Sequence, residues 1–425
     1  MEPSSKRKFL KTLAYGSILT HPALSYLEGL ANRYEHRTAE ELASDDDFWK
    51  KVRGQYKIED DYINLENGYY CKMPEPVLEA YVGHVRRINL EASRYLRTEQ
   101  FERKYAIAAR LSQKINAEEE ELIITRNTTE SLDLIIAGYP WEEGDEAIMC
   151  DQDYGAMLDM FRQQEERKGI RKVVVDLPNH PEDDEEIVRL YEQAITPRTR
   201  MIMVCHMINI TGQILPVKKI CAMAQKYGVE VMVDGAHAFA QIPVDVKSIG
   251  CDYYGASLHK WLSAPLGSGI LYVKKDKIPP LWPLFAESPK PKGDILRLNH
   301  TGTIPVHVDL GIQDALDYYE WMGHERKEQR LRFLQNYWLK DLHQEDGLVI
   351  NTPMEPHRSC AIGNVGIEGV DPTALAHQLF EDFGIWTVAI HHPHVKGVRV
   401  TPNVFTTQEE LDQFKDAILK IKKRN

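Results

Sequence analysis

Six short apolar runs separated by helical patterns, between residues 120 and 275, constrain the fold of this chain most strongly. The runs are Leu122–Thr125, Ala147–Cys150, Lys172–Asp176, Arg200–Cys205, Val229–Val233 and Ile270–Val273. Strands that are almost entirely apolar and alternate with helices are typical of a parallel sheet covered by helices on both faces. We therefore predict an α/β domain, in which a ligand binds at the carboxyl ends of the strands.

The rest of the chain predicts flanking units. We expect a leader or disordered N-terminus at residues 1–25, a helical segment packing on the small domain at 26–60, a large domain at 61–310 and a small α+β domain at 311–425. One long helix is predicted from Leu310 to about His343. In the small domain we predict strands near residues 361–367, 385–388 and 397–401, and a final helix that begins at the capping box Thr407-x-x-Glu410.

Composition excludes several classes of protein. The net charge of −12 argues against a nucleic-acid-binding surface, which needs a concentrated basic face. No stretch reaches the roughly 20 uninterrupted apolar residues of a membrane span. The six cysteines have no ligand-like spacing, so buried free thiols are favoured over disulfides or a zinc site.

The N-terminal stretch Ser5–Lys11 is similar to a twin-arginine export signal in which lysine replaces the first arginine. No A-x-A cleavage site follows, and a basic, frayed terminus is the alternative. A cytoplasmic protein is therefore favoured, with periplasmic export as the second prediction.

Asp234 and Lys260 are the strongest candidates for chemistry. Asp234 ends the run Val229–Val233, and Lys260 follows 26 residues later (260 − 234). An acid at the carboxyl end of a buried strand can pair with a heterocyclic nitrogen, and a lysine on the following loop can offer its amine to an aldehyde. The pair predicts a pyridoxal-phosphate site, whereas a capping aspartate and a surface lysine are the alternative.

Other polar residues fall at the same predicted edge. Asn127, Thr128 and Thr129 stand where a strand turns into a helix, which suits a phosphate but is equally explained by helix capping. Tyr154 follows the Ala147–Cys150 strand and can stack on a flat ring or simply pack.

Four more residues are candidates with open alternatives. Asn209 and His237 can contact a ring oxygen, although His237 is also explained as a buried histidine bonded to backbone. Thr303, in a polar turn, can bring a donor to a phosphate or belong to a plain loop. Arg399 can hold a substrate carboxylate if it faces a cleft, or lie on an edge strand.

Together these motifs resemble the class V branch of the fold-type-I pyridoxal-phosphate enzymes, from about Asn64 to the C-terminus. That branch contains cysteine desulfurases, kynureninase, several aminotransferases and isopenicillin-N epimerase. The motifs are Asn67-Gly68, Asn127-Thr128-Thr129-Glu130, HMINITGQILP, VDGAHA, SLHK, the Thr-Gly-Thr turn and VRVTPNVFTTQEELD. Tyr154-Gly155, TGQILP and VDGAHA look most like the epimerase subgroup.

The resemblance implies a large domain built on a mostly parallel, seven-stranded-type sheet, with pyridoxal 5'-phosphate as cofactor. It implies that Lys260 is the Schiff-base lysine and that Asp234 pairs with the pyridinium nitrogen. Asn209 and His237 would contact the phenolic oxygen, and Tyr154 would stack on the ring.

The resemblance also assigns the phosphate and the substrate. The residues implied to hold the phosphate region are Asn127, Thr128, Thr129, Ser257, His259 and, from the second subunit of a homodimer, Thr303. Arg399 would bind the substrate's α-carboxylate, and Asn67 is the other residue implied on the substrate side.

The predicted function is a pyridoxal-phosphate enzyme acting at Cα of an amino acid or an amino-acid-derived amine, as an aminotransferase or an isopenicillin-N-epimerase-like enzyme. Epimerisation needs a second base, for which Tyr69 and Tyr70 are candidates. The alternatives are a lyase or oxidative tailoring enzyme on a peptide-like metabolite, or a non-enzymatic binding protein. Cysteine desulfuration is disfavoured, because the only cysteine after Cys251 is Cys360, within an apolar run.

Overall fold

The computed structural model describes residues 29–30, 32–34, 36–286 and 289–424. The predicted leader at residues 1–25 and its export-signal-like stretch lie outside the described residues. Within the described part, no helix combines the length and apolarity that crossing a membrane requires.

The first part of the chain supplies the central sheet and the helices around it. Its elements are α1 (Ala39–Ala43), α2 (Asp46–Arg53), β1 (Ile63–Asn64), α3 (Glu75–Glu91), α4 (Ser93–Thr98), α5 (Gln100–Lys114), β2 (Leu122–Thr125), α6 (Thr128–Gly138), β3 (Glu146–Cys150), α7 (Gly155–Lys168), β4 (Arg171–Val175), α8 (Asp184–Gln193), β5 (Thr199–Cys205), α9 (Val217–Lys226), β6 (Glu230–Asp234), α10 (Val246–Ile249), β7 (Tyr253–Ser257) and β8 (Gly269–Val273).

The central sheet has seven strands in the order β2-β8-β7-β6-β5-β3-β4. The pairs from β7 through β4 are parallel, and β8 runs antiparallel to both of its neighbours. The prediction of a mostly parallel sheet is therefore confirmed. Strands β2, β3, β5, β6 and β7 end at one edge, which places Asp234 beside the residues that follow their last positions.

Strand β7 is the one central strand that the apolar pattern missed. Its sequence, Tyr-Tyr-Gly-Ala-Ser, is not a continuous apolar run, although all five residues are buried. Gly255 is required there because a Cβ would lie 2.8 Å from the side chain of Leu132 in α6. This strand is what carries Ser257, His259 and Lys260 to the edge of the sheet.

The remaining elements form the C-terminal part. They are α11 (Val306–Met322), α12 (His324–Leu342), β9 (Leu348–Ile350), β10 (Gly363–Ile367), α13 (Pro372–Phe383), β11 (Ile385–Trp386), β12 (Val388–His391), β13 (Lys396–Val400) and α14 (Gln408–Arg424). Strands β12, β13, β10 and β9 form an antiparallel sheet in that order. The capping box that opens the last helix is present, since Thr407 and Glu410 each accept the other's backbone N–H.

The prediction of one long helix from Leu310 to His343 is wrong. Helices α11 and α12 meet at Gly323, whose φ of 80° lies in the left-handed region that glycine tolerates and a continuing helix forbids. Helix α11 packs on α3, whereas α12 packs on α1 and α14. The break thus lets the two helices pack against different neighbours.

Residues 63–68 contact the C-terminal part although they precede the central sheet in sequence. Strand β1 pairs in parallel with β11, and Glu66 forms a bridge with Thr401 just after β13. The turn after β1 is fixed by Asn67, whose backbone N–H donates to Thr401 Oγ1 at 2.6 Å. Two distant parts of the chain therefore meet beside the ligand edge of the central sheet.

All six cysteines are free and buried, as predicted from their spacing.

Candidate active site

A cavity of about 320 Å³ lies at the edge of the central sheet where Asp234 ends β6. Most of the residues predicted to hold the cofactor line it. They are Asn127, Thr128, Thr129, Tyr154, Asn209, Asp234, His237, Ser257, His259 and Lys260. We refer to this set as the cofactor side of the cavity.

Lys260 is held by a short chain of hydrogen bonds. The Trp261 indole N–H, which can only donate, points at His237 Nδ1 over 3.3 Å. The proton of the neutral His237 ring is therefore on Nε2, which lies 3.2 Å from Lys260 Nζ. For Nζ to accept that proton it must carry a lone pair, so this arrangement belongs to an uncharged Lys260 amine.

Burial shifts both groups toward these uncharged forms, which for Lys260 predominate above about pH 8. It lowers the pKa of Lys260 to about 8, against the opposing effect of Asp234, and the positive charge of Arg399 lowers it further. Burial, together with the charge of Lys260, also lowers the pKa of His237 well below its ordinary value. An uncharged amine is the form that can act as a nucleophile or a base.

Asp234 reaches the cavity from the end of β6. Its Oδ1 accepts the Ala236 N–H at 2.9 Å, which fixes the carboxyl group against the turn that follows the strand. Burial raises the pKa of Asp234, whereas the Ala236 N–H and Lys260 lower it. A protonated heterocyclic nitrogen placed against this carboxyl group would supply the counter-charge that burial makes favourable.

The start of α6 forms the polar end of the cavity. Ser257 Oγ lies 2.7 Å from Thr128 Oγ1 and accepts the Thr128 backbone N–H at 3.0 Å, so the two hydroxyls from α6 and β7 meet. Asn127 caps the helix through Oδ1, which accepts the Glu130 N–H at 2.8 Å. Hydroxyls at a helix N-terminus suit a phosphate group, because both the free donors and the helix dipole favour an anion.

Gly269 lets strand β8 pack closely against the turn at the start of α6. A Cβ at Gly269 would lie 2.7 Å from the Asn127 Cα, so any larger residue in β8 pushes the α6 turn outward. His259 is fixed nearby by its Nδ1, which donates to the Ser268 carbonyl oxygen at 3.1 Å. Burial lowers the pKa of His259.

Arg399 and Asn67 do not line the cavity. Arg399 is fully buried, and its Nε and Nη2 donate to the two carboxylate oxygens of Glu66 at 2.9 and 2.7 Å. The Tyr69 ring covers the guanidinium, with its centre 3.9 Å from Cζ, and itself lines the cavity. The structure therefore places the predicted carboxylate-binding arginine behind Tyr69 and in a buried ion pair.

Asn67 is a structural residue of the turn. Its side-chain amide donates to the carbonyl oxygens of Asn64 and Thr401, at 3.2 and 3.0 Å. Glu66, which sequence reasoning missed, stands directly before it. The sequence signal that could have pointed to Glu66 was Arg399, because a buried guanidinium needs an acidic partner. The sequence does not say which acidic residue that partner is. We refer to Glu66, Tyr69 and Arg399 as the Arg399 side of the cavity.

Thr303 lies in a different cavity, of about 670 Å³. Arg97, Lys104 and Lys290 contribute cationic side chains to its lining, and Phe101 and Tyr105 contribute aromatic ones. Within one described chain, Thr303 therefore does not join the other phosphate candidates.

Comparison with known proteins identifies the family. The sequence profile described as Aminotransferase class-V matches residues 70–414. This chain belongs to that family. Isopenicillin N epimerase from Streptomyces clavuligerus is 27% identical, over 87% of this chain and 97% of the epimerase. A probable cysteine desulfurase from Xylella fastidiosa is 26% identical, over 88% of this chain and 96% of the relative.

Solved structures match the same architecture. The apo cysteine desulfurase from Thermococcus onnurineus NA1 superimposes with a TM-score of 0.78 at 20% identity, covering 88% of this chain and 98% of that protein. The α/β fold of class V enzymes is thus shared over almost the whole neighbour, whereas the relatives differ in activity.

The cofactor of this family, pyridoxal 5'-phosphate, fits the residues of the cavity. A buried carboxyl group, a partly buried amine and a hydroxyl-rich helix N-terminus match its ring nitrogen, aldehyde and phosphate. Lys260, Asp234 and the Thr128–Ser257 pair would hold these three groups. When bound, the cofactor supplies an acceptor for the electrons of a bond broken at the substrate's Cα.

Proposed function

We propose that the protein is a pyridoxal-phosphate enzyme acting at Cα of an amino acid or an amino-acid-derived amine, as an aminotransferase or an isopenicillin-N-epimerase-like enzyme. The observation that carries the proposal is the partly buried Lys260 amine, which lines the same cavity as Asp234 and lies 3.2 Å from His237 Nε2. The similarity to isopenicillin N epimerase supports the choice of reaction class.

Lys260 does two things in this proposal. It holds the cofactor covalently until the substrate amine replaces it, and its freed Nζ then removes the proton from Cα. A pKa near 8 makes Nζ a base that is partly uncharged near neutral pH. Asp234 keeps the ring nitrogen protonated, and His237 Nε2–H is aimed to donate to an oxygen beside Lys260.

The fate of the proton separates the two reactions. In epimerisation Lys260 keeps the proton that it removed and a second donor gives its own proton to Cα on the opposite face, whereas in transamination no proton returns to Cα and the substrate leaves as a carbonyl compound. Tyr69 and Tyr70 both line the cavity, and the Tyr69 ring centre is 5.8 Å from Lys260 Nζ. These two phenols are the donors that we propose for epimerisation.

Cysteine desulfuration is disfavoured although relatives carry that name. The reaction needs an accessible thiolate, and Cys360 is fully buried with a pKa that burial raises to about 12. Cys205 lines the cavity, but burial raises its pKa well above the ordinary value.

We further propose a homodimer in which Thr303 completes the phosphate site of the other subunit. Support comes from the cavity around Thr303, whose rim includes the exposed side chains of Phe101 and Tyr105. Exposed aromatic side chains beside cationic ones are typical of a surface that is covered by a partner.

The test begins with purified protein and pyridoxal phosphate. We expect visible absorbance that borohydride removes, its loss in Lys260→Ala, and its retention in Lys274→Ala, which changes an exposed lysine after β8. Incubation in D₂O with amino acids and their amides then distinguishes the reactions. Deuterium at Cα without a carbonyl product indicates epimerisation, and a carbonyl product indicates transamination. A wild-type protein that takes up no cofactor, or an active Lys260→Ala variant, contradicts the proposal.

A further inference from the structure

The cavity offers little positive charge for a substrate carboxylate. Among the described residues that line it, Lys260 is the only lysine or arginine, and it is reserved for the cofactor. Burial lowers the pKa of both His237 and His259, which keeps these rings neutral. Arg399, a further cation near the cavity, lies behind Tyr69.

Arg399 is already paired with Glu66. The ion pair is bidentate, and Arg399 Nη1 donates to the Asn209 carbonyl oxygen at 3.1 Å. Both partners are buried, so water screens their attraction weakly. The charge of Arg399 is thus partly offset by Glu66 before any substrate binds.

Glu66 is also fixed by its own turn. Its Oε1 accepts the backbone N–H groups of Gly68 and Tyr69, at 3.1 and 3.0 Å. Thr401 Oγ1 accepts the N–H groups of Asn67 and Gly68, which ties this turn to the end of β13. Moving Glu66 aside would break several buried hydrogen bonds to an ionised group, so the carboxylate stays in place when a ligand binds.

The pair acts electrostatically on the cavity. Besides burial and Asp234, Arg399 lowers the pKa of Lys260 and Glu66 raises it more weakly, so both charges act on the amine. Within the described chain, a free α-carboxylate on that amine would need a cation that is not already paired, and Arg399 is paired with Glu66 behind the Tyr69 ring. A neutral amide on the same carbon would not.

We propose that Glu66 is a specificity-determining residue that disfavours a free α-carboxylate, so that the site takes amines whose carboxyl group is capped as an amide or absent. This inference rests on the proposed function and narrows its substrate class. Tyr69 and Tyr70 line the cavity with aromatic rings, which suits an aromatic or apolar side chain on that amine.

The experiment compares L-phenylalanine with L-phenylalaninamide, which differ only in whether the carboxyl group carries the charge that Glu66 would disfavour. Binding to the holoenzyme is followed by the change in cofactor absorbance and, independently, by the ligand-induced rise in Tm. We expect wild type to bind the amide at least tenfold more tightly than the acid. In Glu66→Gln, which frees the Arg399 charge, the acid should gain at least tenfold relative to the amide.

Comparing variants cancels the different basicities of the two amines, because both ligands are unchanged. Glu410→Gln is the matched control, since it breaks another Glu–Arg pair, with Arg53, on the far helix α14. It should leave the ratio within twofold of wild type. If Glu66→Gln does not fold, the double variant Glu66→Gln/Arg399→Gln removes both buried charges, and its acid-to-amide affinity ratio should still exceed that of wild type.

Two results overturn the inference. One is a wild type that binds the acid as tightly as the amide. The other is a folded Glu66→Gln variant, or a folded double variant, whose acid-to-amide affinity ratio equals that of wild type or is lower. A lower ratio is expected if Glu66 only positions Arg399 to bind a carboxylate. Failure of the proposed function is separate and visible beforehand, as absence of the lysine-bound cofactor absorbance, and the Tm shifts still report the preference of the cavity.

Discussion

The cofactor side and the Arg399 side of the cavity are built in different ways. Each residue of the cofactor side lies at the end of a strand in one sheet or shortly after it, and Asp234, the one carboxylate of the set, is buried. The Arg399 side joins residues separated by 333 positions, since Glu66 pairs with Arg399 across two parts of the chain. The first side is set by one sheet, and the second by the packing of the turn after β1 on β13.

This difference teaches how function can vary within one fold. The sheet edge brings a carboxyl group, an amine and a helix N-terminus together for any chain of this architecture. On the Arg399 side, one acidic residue such as Glu66 is enough to change the net charge. Changes on the cofactor side should therefore affect all substrates equally, and changes on the Arg399 side should alter the choice among them.

The largest expected effect is on the cofactor side. In Asp234→Asn we expect kcat/KM to fall roughly 100- to 1000-fold, because the ring nitrogen loses its buried counter-charge. The fall should be the same for acid and amide substrates, measured by Cα deuterium exchange. Asp252→Asn, which changes a carboxylate before β7 at the opposite edge of the sheet, is the control and should lose less than about threefold. A substrate-dependent loss in Asp234→Asn would break the distinction between the two sides.

A second prediction tests whether burial, rather than the particular residues of the cavity, lowers the pKa of Lys260. Lys327 lies beneath the cavity and donates to the Trp261 carbonyl oxygen, and burial lowers its pKa from 10.5 to about 8, as for Lys260. The unfolded chain holds a proton that the folded chain has released between about pH 8 and 10.5, so the free energy of unfolding rises with pH in this window. Below about pH 8 the increment is absent. At ~1.4 kcal/mol per pKa unit, each lysine contributes about 2 to 4 kcal/mol to the rise.

The measurement is urea unfolding of the apoprotein at both ends of this window. Lys327→Met should lose its share of the rise, whereas Lys340→Met, at an exposed position of α12, should keep it. Adding pyridoxal phosphate should remove only the part of the rise in unfolding free energy that Lys260 contributes. Equal pH slopes in wild type and Lys327→Met would show that burial is not the cause.

The smallest expected effect concerns Trp261. In Trp261→Phe, His237 loses the donor to Nδ1 that fixes its proton on Nε2, and we expect kcat/KM to fall about fivefold, or about 1 kcal/mol, for acid and amide alike. The matched control is Trp338→Phe, because the Trp338 indole N–H is buried and has no hydrogen-bond partner among the described residues. A larger effect of Trp338→Phe than of Trp261→Phe on kcat/KM would refute this role.

The sequence predicted the cofactor side well for a physical reason. Strand ends and the residues just after them are local features, and parallel topology brings them to one edge without further information. The parallel sheet and the family are confirmed by the structure and the comparisons. The roles of Lys260, Asp234 and their neighbours remain proposals that the geometry supports.

The parts that were missed depend on contacts rather than on local pattern. Strand β7 has a mixed composition because Gly255 makes room for Leu132. The break at Gly323 needed the knowledge that α11 and α12 pack on different partners. The Glu66–Arg399 pair joins two segments whose proximity only the fold creates, so no window of sequence contains it.

The separation of Glu66 from Arg399 also has a consequence for synthesis on the ribosome. Arg399 is translated 139 residues after Lys260 (399 − 260), which takes roughly 7 to 28 seconds at about 5 to 20 residues per second. Once β8 has also been made, 13 residues after Lys260 (273 − 260), the sheet edge from Asn127 to Lys260 is available to fold, while the Glu66 carboxylate still has no guanidinium partner and stays hydrated. The nascent chain can therefore acquire its cofactor-binding edge before it acquires its selectivity.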